Sequence, residues 1–331
     1  MFLLQLELSY TKFILKEKIK MRFTKIFCLA LVLSTFLFGC KSTKDAVSDQ
    51  KLKSERNQNA LLWEVSGNGL KENSFVFGTI HIISSEDYFI PKGTLGAIEK
   101  AEEIIFEIDM NEMTDLTKQM SLLDEIFMDE NKTLKDLLSK EDYAFVEGHF
   151  EKMGLPIFFF ERMKPMFLTV FASGDIDPAG LQSGSMKSYE FEFFEIASKS
   201  KIPVSGLETI EFQMSIFDKI PYEDQADMLI ESIKSSEVGG AEFDEMIKIY
   251  KSQDIDAMVE MIVSDDSGMG EYEDILVAGR NRNWIPLMQA KMKDRPSFFA
   301  VGAGHLGGTQ GVINLLKKEG YTLTPLSTES K

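Results

Sequence analysis

Cysteine is nearly absent from this chain: Cys28 and Cys40 are the whole complement of 331 residues. Histidine is almost as scarce, with His81, His149 and His305 alone. Basic charge is short as well, 36 Lys and Arg against 53 Asp and Glu, for a formal charge of −17. Each scarcity excludes something. With no thiol after residue 40, the domain has no disulfide framework, no dithiol redox motif and no cysteine-bound metal. At this length a core forms without such staples, and 44% hydrophobic residues supply one large core or two modest ones. An acidic surface repels phosphate backbones, so nucleic acid is not an expected partner.

The acidity deepens once the amino-terminal stretch is set aside. Residues 21–25 form a short basic region, residues 26–38 an apolar one, and Leu37-Phe38-Gly39-Cys40 closes it with a small residue before cysteine. That layout describes an export signal over residues 1–39, with translation expected to start at Met21; it is too short and wrongly flanked to span a bilayer. Removing it takes away six Lys/Arg and two Asp/Glu and moves the formal charge from −17 to −21. The Leu-Phe-Gly-Cys sequence resembles a bacterial lipoprotein box, in which the cysteine carries the lipid. The expectation is a protein of the bacterial cell envelope, exported and anchored to a membrane through a lipid such as palmitate on Cys40. Residues 40–59, rich in Lys, Ser, Asp and Gln, form a flexible tether; residues 327–331 form a short tail.

What remains, residues 60–326, reads as one domain. Residues 61–65 form a strand, Gly67-Asn68-Gly69 a turn, and residues 74–80 the returning strand of a hairpin. That second strand runs Ser74-Phe75-Val76-Phe77-Gly78-Thr79-Ile80-His81. Near the other end, Ser297-Phe298-Phe299-Ala300-Val301-Gly302-Ala303-Gly304-His305 repeats the design: a small polar residue, an apolar run, then Gly-x-x-His. A histidine just past a buried strand sits where open α/β sheets bind ligands. One such motif is weak; two in a chain with three histidines point to a shared pocket.

Between them the pattern alternates. A helix is expected over residues 91–101, with Pro91 near its start. Residues 104–108 read as a strand buried on both faces, as in a parallel sheet, although it contains Glu107. A carboxylate buried there must be paired or metal-bound, or else point to solvent from an edge. Residues 111–172 read as helical, with Ser139 and Asp142 capping a helix that carries His149 as a solvated or packed residue rather than a ligand. Residues 173–188 form a loop, 189–198 a helix and 201–209 a strand ending at Glu208. Residues 210–262 are helical with acidic faces, so that 111–172 and 210–262 together make a helical cap. One helix is expected over 273–293, then the second motif strand, a helix through Leu316 and a last strand over 321–326. The fold class is therefore α/β, a mixed and mostly parallel central sheet flanked by helices.

Assembled in order, Phe77-Gly78-Thr79-Ile80-His81, Phe106-Glu107-Ile108-Asp109, Gly206-Leu207-Glu208-Thr209 with Gln213, Arg280-Asn281-Arg282-Asn283-Trp284 and Val301-Gly302-Ala303-Gly304-His305-Leu306-Gly307-Gly308 resemble the TraB/PrgY/GumN family over nearly the whole domain. That family includes Tiki-type proteins and is related to the erythromycin-esterase and ChaN-like fold. The resemblance implies an active-site core of His81, Glu107 and His305 with Arg280 beside them, a manganese or cobalt ion, and protease activity of the Tiki type. The chain departs at Lys187-Ser188-Tyr189-Glu190, where many members have an aspartate after a glycine, which puts a second carboxylate at that helix start in doubt.

Two imidazoles and a carboxylate are a common set for a catalytic divalent ion. His81, Glu107 and His305 are the candidate ligands, and Glu107 is a ligand or the general base. Arg280 is expected to steady the oxyanion, with Glu208, Asn283 and Tyr189 as the candidates for contacting a peptide or protein substrate. Without a metal, either motif histidine serves as general base, with Glu107 orienting it. The alternative function is a haem- or ligand-binding lipoprotein, with a histidine as axial ligand and the Phe/Met-rich residues 155–171 as its wall.

Overall fold

The strands with the longest apolar runs are the ones at the centre of the sheet. A computed structural model describes residues 56–326 apart from 116, 117, 119, 121, 123, 173–182, 238–240 and 265–267. The expected signal, Cys40, most of the tether and the tail lie outside the described residues, as does most of the 173–188 loop.

The six strands of the main sheet are β1 (Leu62–Gly67), β2 (Ser74–Thr79), β4 (Glu103–Ile108), β6 (Val204–Glu208), β7 (Ser297–Gly302) and β8 (Tyr321–Pro325). They lie in the order β6-β4-β7-β2-β1-β8. β2, β4 and β7 are buried at every position, because helices cover both faces of a parallel sheet and nothing on such a strand meets water. β2 pairs with β7, β7 with β4 and β4 with β6, all parallel. The hairpin partner β1 runs antiparallel to β2 and to β8. This is the mixed, mostly parallel α/β sheet that the alternation of elements predicts.

The serine that opens each motif strand has a structural reason. Ser74 and Ser297 are fully buried, and the Ser74 hydroxyl accepts the Ser297 N–H at 3.0 Å. The pair satisfies a backbone donor at the start of the strands and pins their register, Phe75 opposite Phe298.

The helices of the sheet's flanks include α1 (Thr94–Lys100), α5 (Tyr189–Ser200), α6 (Ile210–Phe217), α10 (Gly279–Asp294) and α11 (Val312–Lys318). α1 begins later than expected from Pro91, because the Pro91 carbonyl accepts from both the N–H and the hydroxyl of Thr94 in a preceding turn. The helical cap is uneven. Short 3₁₀ turns at Glu112–Thr114, Asp124–Ile126 and Asp129–Asn131 precede α2 (Leu134–Leu137), α3 (Lys140–Lys152) and α4 (Pro165–Ala172). Ser139 caps α3 by accepting the Asp142 N–H at 3.1 Å, as expected, and His149 donates through Nε2 to the Ala172 carbonyl at 2.8 Å as a packed residue. Acidic helices α7 (Tyr222–Glu237), α8 (Ala241–Lys251) and α9 (Ile255–Val263) follow, α7 packing on α4.

Two boundaries differ from the sequence reading. The last residues assigned to the tether are docked: Arg56 pairs with Asp254 and Glu260, and Asn57 gives its backbone N–H and side-chain amide to buried Asp256. The single helix expected over 273–293 is a π turn, Asp274–Ala278, leading into α10. A Cβ at Gly279 would meet the Asp274 carbonyl oxygen at 2.5 Å, so the wide turn requires glycine there. Wide turns of this kind recur at functional sites, and this one delivers Arg280. Among the described residues no helix is long and apolar enough to cross a membrane.

Candidate active site

β2 and β7 pair so that Thr79 stands opposite Gly302, and the two Gly-x-x-His turns leave the sheet side by side. β4 flanks β7 on its other side, one strand in from the edge, so Glu107 cannot reach bulk water along an exposed strand. Its Oε1 accepts the Gly302 N–H at 2.8 Å and lies 3.8 Å from His305 Nε2. Acid and histidine motifs thus meet at the carboxyl edge of the sheet, where α/β proteins bind ligands.

Arg280 organises this edge. Nε and Nη2 hold Glu208 at 2.8 to 3.2 Å, Nη2 also reaches Glu107 Oε2 at 2.6 Å, and Nη1 reaches the Leu276 carbonyl at 3.1 Å and His305 Nε2 at 3.2 Å. Its five N–H groups are all engaged inside the protein. The expected oxyanion role therefore finds no donor in this arrangement; Arg280 instead clamps two carboxylates and an imidazole. Gln213 joins them, donating to Glu107 Oε2 at 3.3 Å and Glu208 Oε2 at 3.1 Å. Burial would raise the Glu107 carboxyl, but Arg280 foremost, then His305 and His81, hold it down to about 2.

His305 is neutral and its tautomer follows from its neighbour. Asn281 spends its amide N–H groups on the carbonyls of His305 and Gln310, at 3.2 and 2.9 Å. Its Oδ1 therefore faces His305 Nδ1 at 2.6 Å as an acceptor, Nδ1 carries the proton, and Nε2 accepts from Arg280. Burial first, then the Arg280 guanidinium, pushes the imidazole down to about 3. Trp284, one turn along α10 from Arg280, stacks on the His305 ring at 4.4 Å and beneath the guanidinium at 5.0 Å.

His81 faces a different partner. Its Nδ1 lies 2.9 Å from Oε1 of Glu190, and Glu190 Oε2 accepts from the Ser188 hydroxyl at 2.8 Å. Ser188 caps α5, whose first turn holds Glu190. A two-residue ribbon secures the approach: β3 (Ile83–Ser84), which starts two residues after His81, pairs antiparallel with β5 (Met186–Lys187). Burial alone would lower the His81 imidazole, but the facing Glu190 carries it above its ordinary value. Burial would raise Glu190, and His81 holds it lowered instead. His81, Glu107, Glu190 and Gln213 line a cavity of about 20 Å³, room for one water molecule or one ion.

Of the residues singled out from sequence, Glu107, Arg280, Glu208 and His305 form one bonded group, and His81 shares the cavity with Glu107. Asn283 is exposed on α10, while Arg280 and Trp284 on the same helix are buried. Tyr189 is fully buried; its hydroxyl donates to the Phe89 carbonyl at 2.5 Å, and it packs against Phe77, Phe193 and Tyr250. Neither lines the cavity. Glu190 went unrecognised, and the departure from an aspartate at that helix start leaves a carboxylate in the site after all. Its only sequence signal, an acid two residues after a serine cap, is too common on helices to stand out.

Haem does not fit here. The cavity is far too small for a porphyrin, and both His305 nitrogens are already bonded. A divalent ion fits the donor chemistry better: imidazole and carboxylate without thiolate suit manganese or cobalt, and the cavity is of ionic size. Among the described residues no three His, Cys, Asp or Glu side chains stand grouped to hold an ion.

The fold and site define a mixed α/β protein with an acid and histidine centre at the carboxyl edge of its sheet. The chain belongs to the TraB/PrgY/gumN family, whose model matches residues 61–325. It is similar to Metalloprotease TIKI2 of Xenopus tropicalis, 22% identical over 325 residues that cover 81% of this chain and 60% of that protein. It is also similar to Metalloprotease TIKI1 of Homo sapiens, 21% identical over 327 residues covering 82% and 63%. The chain spans about three-fifths of the length of these relatives. No solved structure matches it.

Proposed function

We propose that this protein is a metal-dependent hydrolase of peptide bonds, and that it is exported and held at a membrane of the cell envelope by a lipid on Cys40. One observation carries the catalytic reading: the in-register pairing of β2 with β7 that seats both Gly-x-x-His turns beside Glu107. Similarity to metalloproteases supports the ion and the peptide substrate. His81 and Glu107 would hold the ion at the cavity, with His305 beside them, its Nε2 3.8 Å from Glu107 Oε1. A divalent ion bound there polarises a scissile carbonyl and acidifies water. Held down to about 2, Glu107 is a weak base near neutrality, which favours the ligand role over that of general base. Glu208 and Gln213 keep Arg280 and Glu107 in place rather than touching substrate.

The test strips the protein with a chelator, restores manganese or cobalt and follows fluorogenic peptides. Cleavage should return with the ion and disappear in His81→Ala and Glu107→Ala. Cleavage that survives chelation would replace the ion with a metal-free site in which His81 is the base. No cleavage under any condition would end the peptidase reading. Mass spectrometry of the mature amino terminus tests the anchor, and an unmodified Cys40 would remove it.

A further inference from the structure

The site divides into two halves. In one, Glu107, Glu208, Arg280, His305 and Asn281 saturate one another with internal bonds. In the other, His81 and Glu190 face each other beside the small cavity that both of them line. Glu190 is 6% exposed and belongs to neither motif. A buried carboxylate is costly unless bonded, and both oxygens of this one are: Oε1 to His81 and Oε2 to Ser188. Such a carboxylate can only accept, so His81 Nδ1 bears the proton and the lone pair of the neutral ring lies on Nε2.

We propose that Glu190 is the positioning residue of the site, fixing the ring plane and tautomer of His81 so that its Nε2 serves the cavity bounded by Glu107. This rests on the hydrolase reading above for what the cavity holds, but the His81–Glu190 pairing itself does not. Three features of the fold converge on it. The Ser188 cap sets the rotation of α5, and Ser188 also bonds the Glu190 oxygen that His81 leaves over. The ribbon of β3 with β5 ties the residues after His81 to those before Glu190. Tyr250 donates to the Gly78 carbonyl at 2.9 Å, steadying the strand end from which His81 extends. Carboxylates that orient a metal-binding imidazole change ion affinity by roughly 10–100-fold when altered.

The chain has three histidines, so proton and nitrogen NMR of the ¹⁵N-histidine-labelled full chain resolves His81 directly. Wild type should show a low-field Nδ1 proton, charge-assisted by its carboxylate. In Glu190→Gln the acceptor is neutral; that proton should move upfield, and calorimetric Mn²⁺ affinity should fall about 10–100-fold. Glu190→Asp keeps the charge on a shorter arm and should recover part of both, and it serves as the test if the glutamine variant fails to fold. An unmoved His81 proton together with Mn²⁺ affinity within about twofold of wild type would overturn the proposal while leaving the metal reading intact. Wild type that binds no Mn²⁺, yet whose His81 proton moves in Glu190→Gln, would do the reverse.

Discussion

Gly302 gives its backbone N–H to the Glu107 carboxylate at 2.8 Å, across the seam between β7 and β4. The first residue of one histidine motif thereby holds the acid of the neighbouring strand. A side chain at position 302 would bring its Cβ within 3.2 Å of that same oxygen, so the motif's glycine serves close approach. The arrangement makes the acid and the motif one unit, and the consequences of breaking it can be stated.

Arg280 compensates Glu107 and Glu208 at once, with all three side chains 10% exposed or less. Arg280→Ala strands two carboxylates in a dry site, and breaking a buried pair in this way costs about 3–5 kcal/mol. The urea midpoint of the variant should drop accordingly. A loss below about 1 kcal/mol would mean that water reaches the pair freely and that the clamp is weak.

Stability should fall toward acid. The folded His305 imidazole lies lowered to about 3 against an ordinary 6.5, so its contribution is full above 6.5 and is lost as pH falls from there toward 3. Glu107 acts with the same sign, full above 4.5 and lost as pH falls toward about 2. His81 has the opposite sign: raised when folded, it stabilises below 6.5 and its contribution is lost as pH rises through its folded value. Thermal midpoints across pH should therefore decline on the acid side, and His305→Asn should flatten the part of that decline that begins near 6.5. An acid limb identical in the variant would show that other groups govern it.

Gly78 opens the first motif where β2 abuts the turn after β7. A Cβ there would lie 3.1 Å from Ala303 Cα, Ala303 Cβ and Leu306 Cδ2. All three belong to the turn holding His305, so Gly78→Ala should push the motifs apart and destabilise by about 1–3 kcal/mol. Differential scanning calorimetry measures the loss, and a quenching change in Trp284, which stacks on His305, would report the displacement.

Much of this is legible in the amino-acid sequence. Hairpin, buried central strands and the Ser139 cap follow from alternation and residue type, because each depends on neighbours in sequence. The pairing of Glu107 was legible as a requirement, since an acid inside an apolar strand must have a partner. Which partner was not: Arg280 lies 173 positions away, and only the packing of α10 over the sheet selects it. The expected single helix hid a π turn, because the 3.6-residue apolar pattern continues through a wide turn almost unchanged. Asn283 and Tyr189 sat in suggestive stretches, but helix rotation and core packing decide where such side chains face, and periodicity around one or two residues fixes neither.

The amino-acid order by itself settled that this is an acidic, thiol-poor α/β domain with two histidines closing matched strands, since composition and local pattern carry those properties. Only the tertiary structure decided that the two turns are neighbours, that Arg280 is spent on carboxylates, and that Glu190 faces His81. Those outcomes depend on strand order and on a two-residue ribbon between segments about a hundred positions apart, and contacts at that separation leave no periodic trace in a single sequence.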